Sequence, residues 1–321
     1  VTLKAVRPFL FVLAPLLIAL AAYYGYWRAE ADAAASAVEA QLGTRPQMSG
    51  FPYRIAANLP AASLNRGGGA LALALNAGRT EIDRGPLNGS LFVGTFTDIQ
   101  ADVSAPGLVP DMLAVTAPRA AGSLRVSAGQ IARLSMIAQT ASLTSPRWSG
   151  PLRVEGAELH FRETPNATAA AGPTPPGQAE ARLAGTAHFD GDAVVALSLP
   201  IRINADAPLT SLPAWRSGGT VEIEGGTLSG ADGEAFAGVD ATLAPLPGGE
   251  MALAGTLTTD CPETAQWLLG GGPHPGAEYR RRRPAEFALT GTLSAPALRE
   301  RPTPSGGLVR SQEPPCPDLR R

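Results

Sequence analysis

Residues 193–204 read AVVALSLPIRIN and residues 220–224 read TVEIE. Within them, Ile201-Arg202-Ile203-Asn204 and Val221-Glu222-Ile223-Glu224 alternate apolar and polar side chains one for one. A period of two belongs to an extended strand with one face buried and one face wet, because a helix spaces its apolar residues by three and four. The texture recurs from Gly50 onward, at 53–59, 70–76, 90–99, 123–127, 130–138, 152–161, 179–189, 236–244, 250–258 and 285–293. Gly, Pro, Asn and Asp separate the runs, as turns require. A mainly β body follows: a large antiparallel, curved β-sheet or an open sandwich, with one or two short helices.

Leu71-Ala72-Leu73-Ala74-Leu75 places leucine on one face of its strand and alanine on the other. Such a sheet is either covered on both sides or lines an apolar groove. Gly50-Phe51-Pro52-Tyr53-Arg54 precedes the first strand, and Pro52 biases Phe51 toward extended backbone. Phe51, Tyr53 and Arg54 at the mouth, with Leu71, Leu73 and Leu75 along the wall, form the candidate ligand-binding set. The competing reading is an aromatic plug closing one end of the sheet, with Arg54 paired to a carboxylate.

Ahead of the β body, residues 8–22 read PFLFVLAPLLIALAA, with Lys4 and Arg7 before them and Tyr23, Tyr24, Tyr26, Trp27 and Arg28 after. An apolar run with basic residues on one flank and aromatics on the other predicts a membrane-inserting segment. Ala19-Leu20-Ala21 also fits a cleavage pattern, so signal anchor and signal peptide both stand. Either places the body outside the cytoplasm, in the periplasm if the segment holds it at a bacterial inner membrane. Residues 28–43, rich in Ala and Glu and closed by Gly43, predict a helical stalk continuous with that segment. The expected division is an anchor at 1–28, a stalk at 29–46, a β body at 47–300 and a Pro-rich tail at 301–321. The Pro/Gly/Ala stretch 164–178 is a candidate subdivision of the body. Short helices are expected at 209–215 and 262–269; the second has Asp260 ahead of it and Pro262 at its first position.

Lys plus Arg is 26 and Asp plus Glu is 28 in 321 residues, a net charge of −2. That balance gives no basic surplus for phosphate backbones and argues against nucleic acid. His160, His188 and His274 have no ligand partners at metal-site spacing, so neither metal nor cofactor is expected. No nucleophile–base pair, phosphate loop or dinucleotide fingerprint is present, which argues against an enzyme. Asp190-Gly191-Asp192 reads as a hairpin turn. Arg280 to Arg283 is a basic cluster, suited either to anionic head groups or to a solvated loop. Cys261 and Cys316 either form a disulfide or remain free thiols.

Taken in order, the anchor ending in Gly25-Tyr26-Trp27, the Ala-rich stalk, Ser49-Gly50-Phe51-Pro52-Tyr53-Arg54, Trp215-Arg216-Ser217-Gly218-Gly219-Thr220 and Cys316-Pro317 resemble a bacterial family known as domain of unknown function 2125. No activity or catalytic residue comes with that resemblance. More distantly, an anchor followed by many antiparallel strands resembles the AsmA-like envelope proteins. That likeness implies an extended sheet with an apolar groove for lipid. The expectation is a non-enzymatic cell-envelope protein that binds or guides lipid or another apolar molecule. Its alternative is a structural module that docks other envelope proteins without a ligand.

Overall fold

A computed structural model describes residues 3–68, 71–104, 112–127, 130–146, 150–164, 177–188, 194–205, 215, 217–231, 233–247, 250–270, 274–302 and 315–317. Side chains are described from Leu13 onward, apart from the positions Gly68, Leu71, Gly177, Leu269, Gly270 and Ala277. Helix α1 spans Leu3–Leu42 without interruption. It ends where Gly43 turns to φ +69° and donates its N–H to the Glu39 carbonyl, 2.8 Å away, the left-handed cap that glycine favours. Among the described residues no helix is long and apolar enough to cross a membrane. The side chains of the expected anchor through Val12 lie outside the described residues.

The chain then forms β1 (Gln47–Ser49), β2 (Ile55–Leu59), β3 (Ala62–Gly68), β4 (Leu71–Ala77), β5 (Thr80–Gly85), β6 (Asn88–Ser104), β7 (Leu113–Ser127) and β8 (Gln130–Thr144). After these come β9 (Leu152–Glu163), β10 (Gly177–His188), β11 (Val194–Asn204), β12 (Thr220–Ser229), β13 (Ala235–Pro245) and β14 (Met251–Thr259). Helix α2 (Pro262–Gly270), β15 (Ala285–Thr292) and β16 (Ala295–Arg301) close the order. The sixteen strands among the described residues belong to one antiparallel sheet, in which β5 through β16 follow one another in sequence order. β9 and β10 pair directly, so the sheet runs unbroken past 164–178. The expected helix at 209–215 falls outside the described residues except for Trp215.

Sequence reading underestimates the sheet, most of all in its N-terminal half. β1, β3, β5 and β16 escape it, and β7 is anticipated only at its end. β3 reads ASLNRGG and β5 reads TEIDRG, too polar and glycine-rich to show alternation. β7 carries Pro118 in mid-strand, normally an argument against a central strand. The sheet accommodates it with a local break. Asp98, opposite on β6, adopts φ +51°; the β6–β7 ladder skips Asp98 and Pro118, and the β7–β8 ladder has no pairs at 117–119. The same break divides one edge of β6, where β5 pairs with residues before Asp98 and β4 with residues after it.

Among the described residues three apolar clusters hold the array, one at its N-terminal end and two toward its C-terminal end, the smaller of these built from Ala205, Trp215, Leu243 and Met251. At the C-terminal end, Val195, Phe236, Leu257, Phe287 and Leu289 pack with Ala265 of α2 and with Cys261 and Cys316. Those cysteines form a disulfide with Cα atoms 5.6 Å apart, holding Cys316 against the sheet. At the N-terminal end, Trp27, Ala31 and Ala35 are buried, four residues apart, so they form one stripe of α1. Trp27 and Ala31 pack with Ile55 of β2. The stalk helix is therefore docked on the sheet, a contact that the sequence reading does not include.

Candidate functional site

α1 and the sheet do not meet along their whole length, and the space between them is a groove of about 680 Å³, open on one side. Its origin is the alternation of β6, β7 and β8. Phe92, Gly94 and Phe96 fall on one face of β6, and opposite residues in antiparallel strands share a face. Phe92 stands opposite Leu124 of β7, which stands opposite Leu134 of β8. Gly94 likewise faces Gly122, and Gly122 faces Met136. A Cβ on Gly94 would come within 2.8 Å of the Phe96 ring, so the glycine lets that ring lie over the strand. α1 supplies the roof with Ala33, Ala34, Ala37 and Val38, whose short side chains leave the volume unfilled.

The helix is pinned over this groove by polar contacts at its margins. Arg84 of β5 donates to the Glu30 carboxylate at 2.8 Å and to the Glu30 carbonyl at 3.0 Å. Arg66 of β3 donates to the side chain of Gln41. Toward the other end of the contact, Trp27 Nε1–H donates to the Arg54 carbonyl at 2.8 Å and Tyr23 to the Pro52 carbonyl at 2.6 Å. Tyr26 reaches the Pro86 carbonyl at 3.0 Å. Three of the aromatics read as a membrane girdle thus bond the helix to the body.

Beyond the roof the apolar face continues. One ladder runs Phe92, Leu124, Leu134, Phe161, Ala181, Ile201, Ile223, each opposite the next. Beside it runs Gly94, Gly122, Met136, Leu159, Leu183, Leu199. Met136, Leu159 and Leu183 are each 38–39% exposed, so this second ladder forms a track open to solvent.

The residues singled out in sequence lie elsewhere. Phe51 packs on Tyr24, Trp27 and Tyr23, with ring centroids 5.2, 5.6 and 5.9 Å away. Arg54 pairs with Asp83 at 2.9 Å and Glu81 at 3.2 Å, and Tyr53 is 87% exposed. This is the plug arrangement, sealing the joint of helix and sheet; none of the three lines the groove. The side chain of Leu71 is outside the described residues. Leu73 and Leu75 are half-buried and stand opposite Val103 and Ala101, past the break at Asp98, so they too are absent from the groove walls. The useful signal was the pairing of Phe92-x-Gly94-x-Phe96 with the alanine face of the stalk.

His160 hydrogen-bonds Ser135 at 3.0 Å, His188 lies 3.2 Å from Glu155, and His274 stacks edge-on against Trp267. Among the described residues no group of His, Cys, Asp and Glu could hold a metal. In the basic cluster, Arg283 bonds Glu300 at 2.5 Å and Glu263 at 3.3 Å. The hydrogen bond from Arg283 holds the Glu300 carboxyl below the usual carboxylate range, and the same bond raises the arginine. Arg283 thus links α2 to the edge strand β16, and Arg282 reaches toward Glu234, 3.9 Å away, just before β13.

Comparison with protein-family models, curated proteins and solved structures returned no match.

Proposed function

We propose that the protein binds an acyl chain or a similar apolar molecule in the groove beneath α1 and guides it along the track that continues over β8 to β11. The reading is non-enzymatic. It places the body in the periplasm of a bacterial envelope, with the apolar run 8–22 in the inner membrane, as that run and the resemblance to AsmA-like proteins imply. The observation that carries it is the groove: about 680 Å³, walled by Phe92, Phe96, Leu124, Leu134 and Met136, roofed by alanines and open along one side. That volume lies within the range of small-molecule sites, and an apolar lining with few polar groups suits a chain held by burial and not by hydrogen bonds.

Native mass spectrometry of the detergent-extracted protein tests the proposal. Lipid should co-purify with the wild type and be lost when Met136→Asp puts a carboxylate at the groove's open edge. A protein that carries no lipid in either form refutes lipid binding and leaves the partner-docking role.

A further inference from the structure

The face of the sheet opposite the groove carries its own pattern. Arg125 follows Leu124, Arg133 precedes Leu134 and Arg162 follows Phe161, so these arginines point away from the apolar ladder. Register aligns them: Arg125 stands opposite Arg133, and Arg133 opposite Arg162. Strand spacing is about 4.8 Å, so the three arginine Cα atoms stand in line within about 10 Å. Like charges directly opposite one another oppose strand pairing. Farther along the same ladder the charges are neutralised, since Arg202 bonds Glu224 at 2.9 Å and lies 3.7 Å from Glu222. The three arginines receive no such treatment: all are exposed, and none of their side chains makes a hydrogen bond or ion pair among the described residues. Glu180 stands opposite Arg162 without pairing to it. The row borders an open depression of about 840 Å³.

We propose that this depression is an anion site for a discrete phosphate monoester or diphosphate group. Guanidinium forks match phosphate oxygens in bidentate geometry, and a multivalent oxyanion balances several cations at once. A single carboxylate carries too little charge for three. A continuous anionic bilayer is the poorer fit, because Glu163 and Glu180 also border the depression and repel a uniformly negative surface, whereas a small group can seat on the arginines alone. The site lies on the other face from the acyl groove and stands independently of it.

The test is calorimetric titration of the full chain in nonionic detergent with inorganic pyrophosphate, against sodium chloride at matched ionic strength. The expected result is one pyrophosphate per chain, weakened tenfold or more in Arg133→Gln and in Arg162→Gln and unchanged in Arg281→Gln. Thermal melting supplies a second reading: Arg133→Gln should melt no lower than the wild type without ligand and should lose the upward shift that pyrophosphate gives. No binding of pyrophosphate, equal binding by the arginine variants, or equal heat with chloride overturns the proposal. Binding confined to micelles doped with phosphatidylglycerol, with none to pyrophosphate, overturns it in favour of a membrane-facing surface.

Discussion

Arg84 and Glu30 join the sheet to the helix: the guanidinium meets the carboxylate at 2.8 Å and the carbonyl of the same residue at 3.0 Å. The Arg84 side chain is 13% exposed, so water screens the pair poorly. Both residues border the groove, which makes the pair a clasp holding the roof at a fixed height.

Glu30→Gln leaves Arg84 a carbonyl acceptor but removes the charge opposite it. A largely buried cation without its counter-ion costs about 1 to 3 kcal/mol. The expected outcome is a lower melting temperature together with faster amide exchange across residues 28–42, read by hydrogen–deuterium exchange. Unchanged exchange there means the clasp is not what holds the helix down.

Two aspartate substitutions separate groove from core. Met136 is 38% exposed, so Met136→Asp keeps a route to water; the expected outcome is an intact β signal in far-UV dichroism and, on the proposed lipid-binding reading, loss of co-purifying lipid. Leu73 is half-buried past the break at Asp98, so Leu73→Asp costs about 1 to 3 kcal/mol of stability and leaves lipid retention per folded molecule unchanged. Lipid loss in the Leu73 variant alone would move the site to β4.

Cys261 and Cys316 are 55 residues apart, and closing a loop of that length restrains the unfolded chain by about 4 kcal/mol in the chain-entropy model. Reduction is expected to lower the melting temperature and expose the segment around Cys316 to protease. Alkylation of the denatured, unreduced protein should label neither cysteine.

Glu300 sets an acid limit for the C-terminal edge. Its folded carboxyl titrates below the unfolded one because Arg283 hydrogen-bonds the charged form. A depressed carboxylate stabilises the fold above its unfolded pKa, near 4.3, and loses that contribution as pH falls through the lower, folded value. Glu300→Gln should therefore melt lower than the wild type at pH 7, with the difference shrinking below about pH 4. The pair is partly exposed, so the effect is small and should fade in high salt.

What the sequence discloses follows from what each residue does locally. Strands such as 201–204 declare themselves because their partners on both sides bury one face and wet the other. β5 does not, because TEIDRG takes its order from the neighbours β2 and β6. The stalk was legible as a helix from its alanines and Gly43, but its docking was not, since small residues signal close approach only once something approaches. Phe51 and Arg54 drew notice as unusual residues and turned out to be joint-makers. The groove residues look ordinary in sequence, and register alone brings them together.

Because β5 through β16 pair in the order they are synthesised, every new strand finds its template already in place. Such a chain needs few long loop closures to assemble, which favours quick, progressive folding. It is also modular in the way of an array: adding or removing one hairpin changes the length of the sheet without altering the register of the rest. A body built this way can be matched to a span by counting strands, so its length becomes a quantity set by insertion and deletion of hairpins.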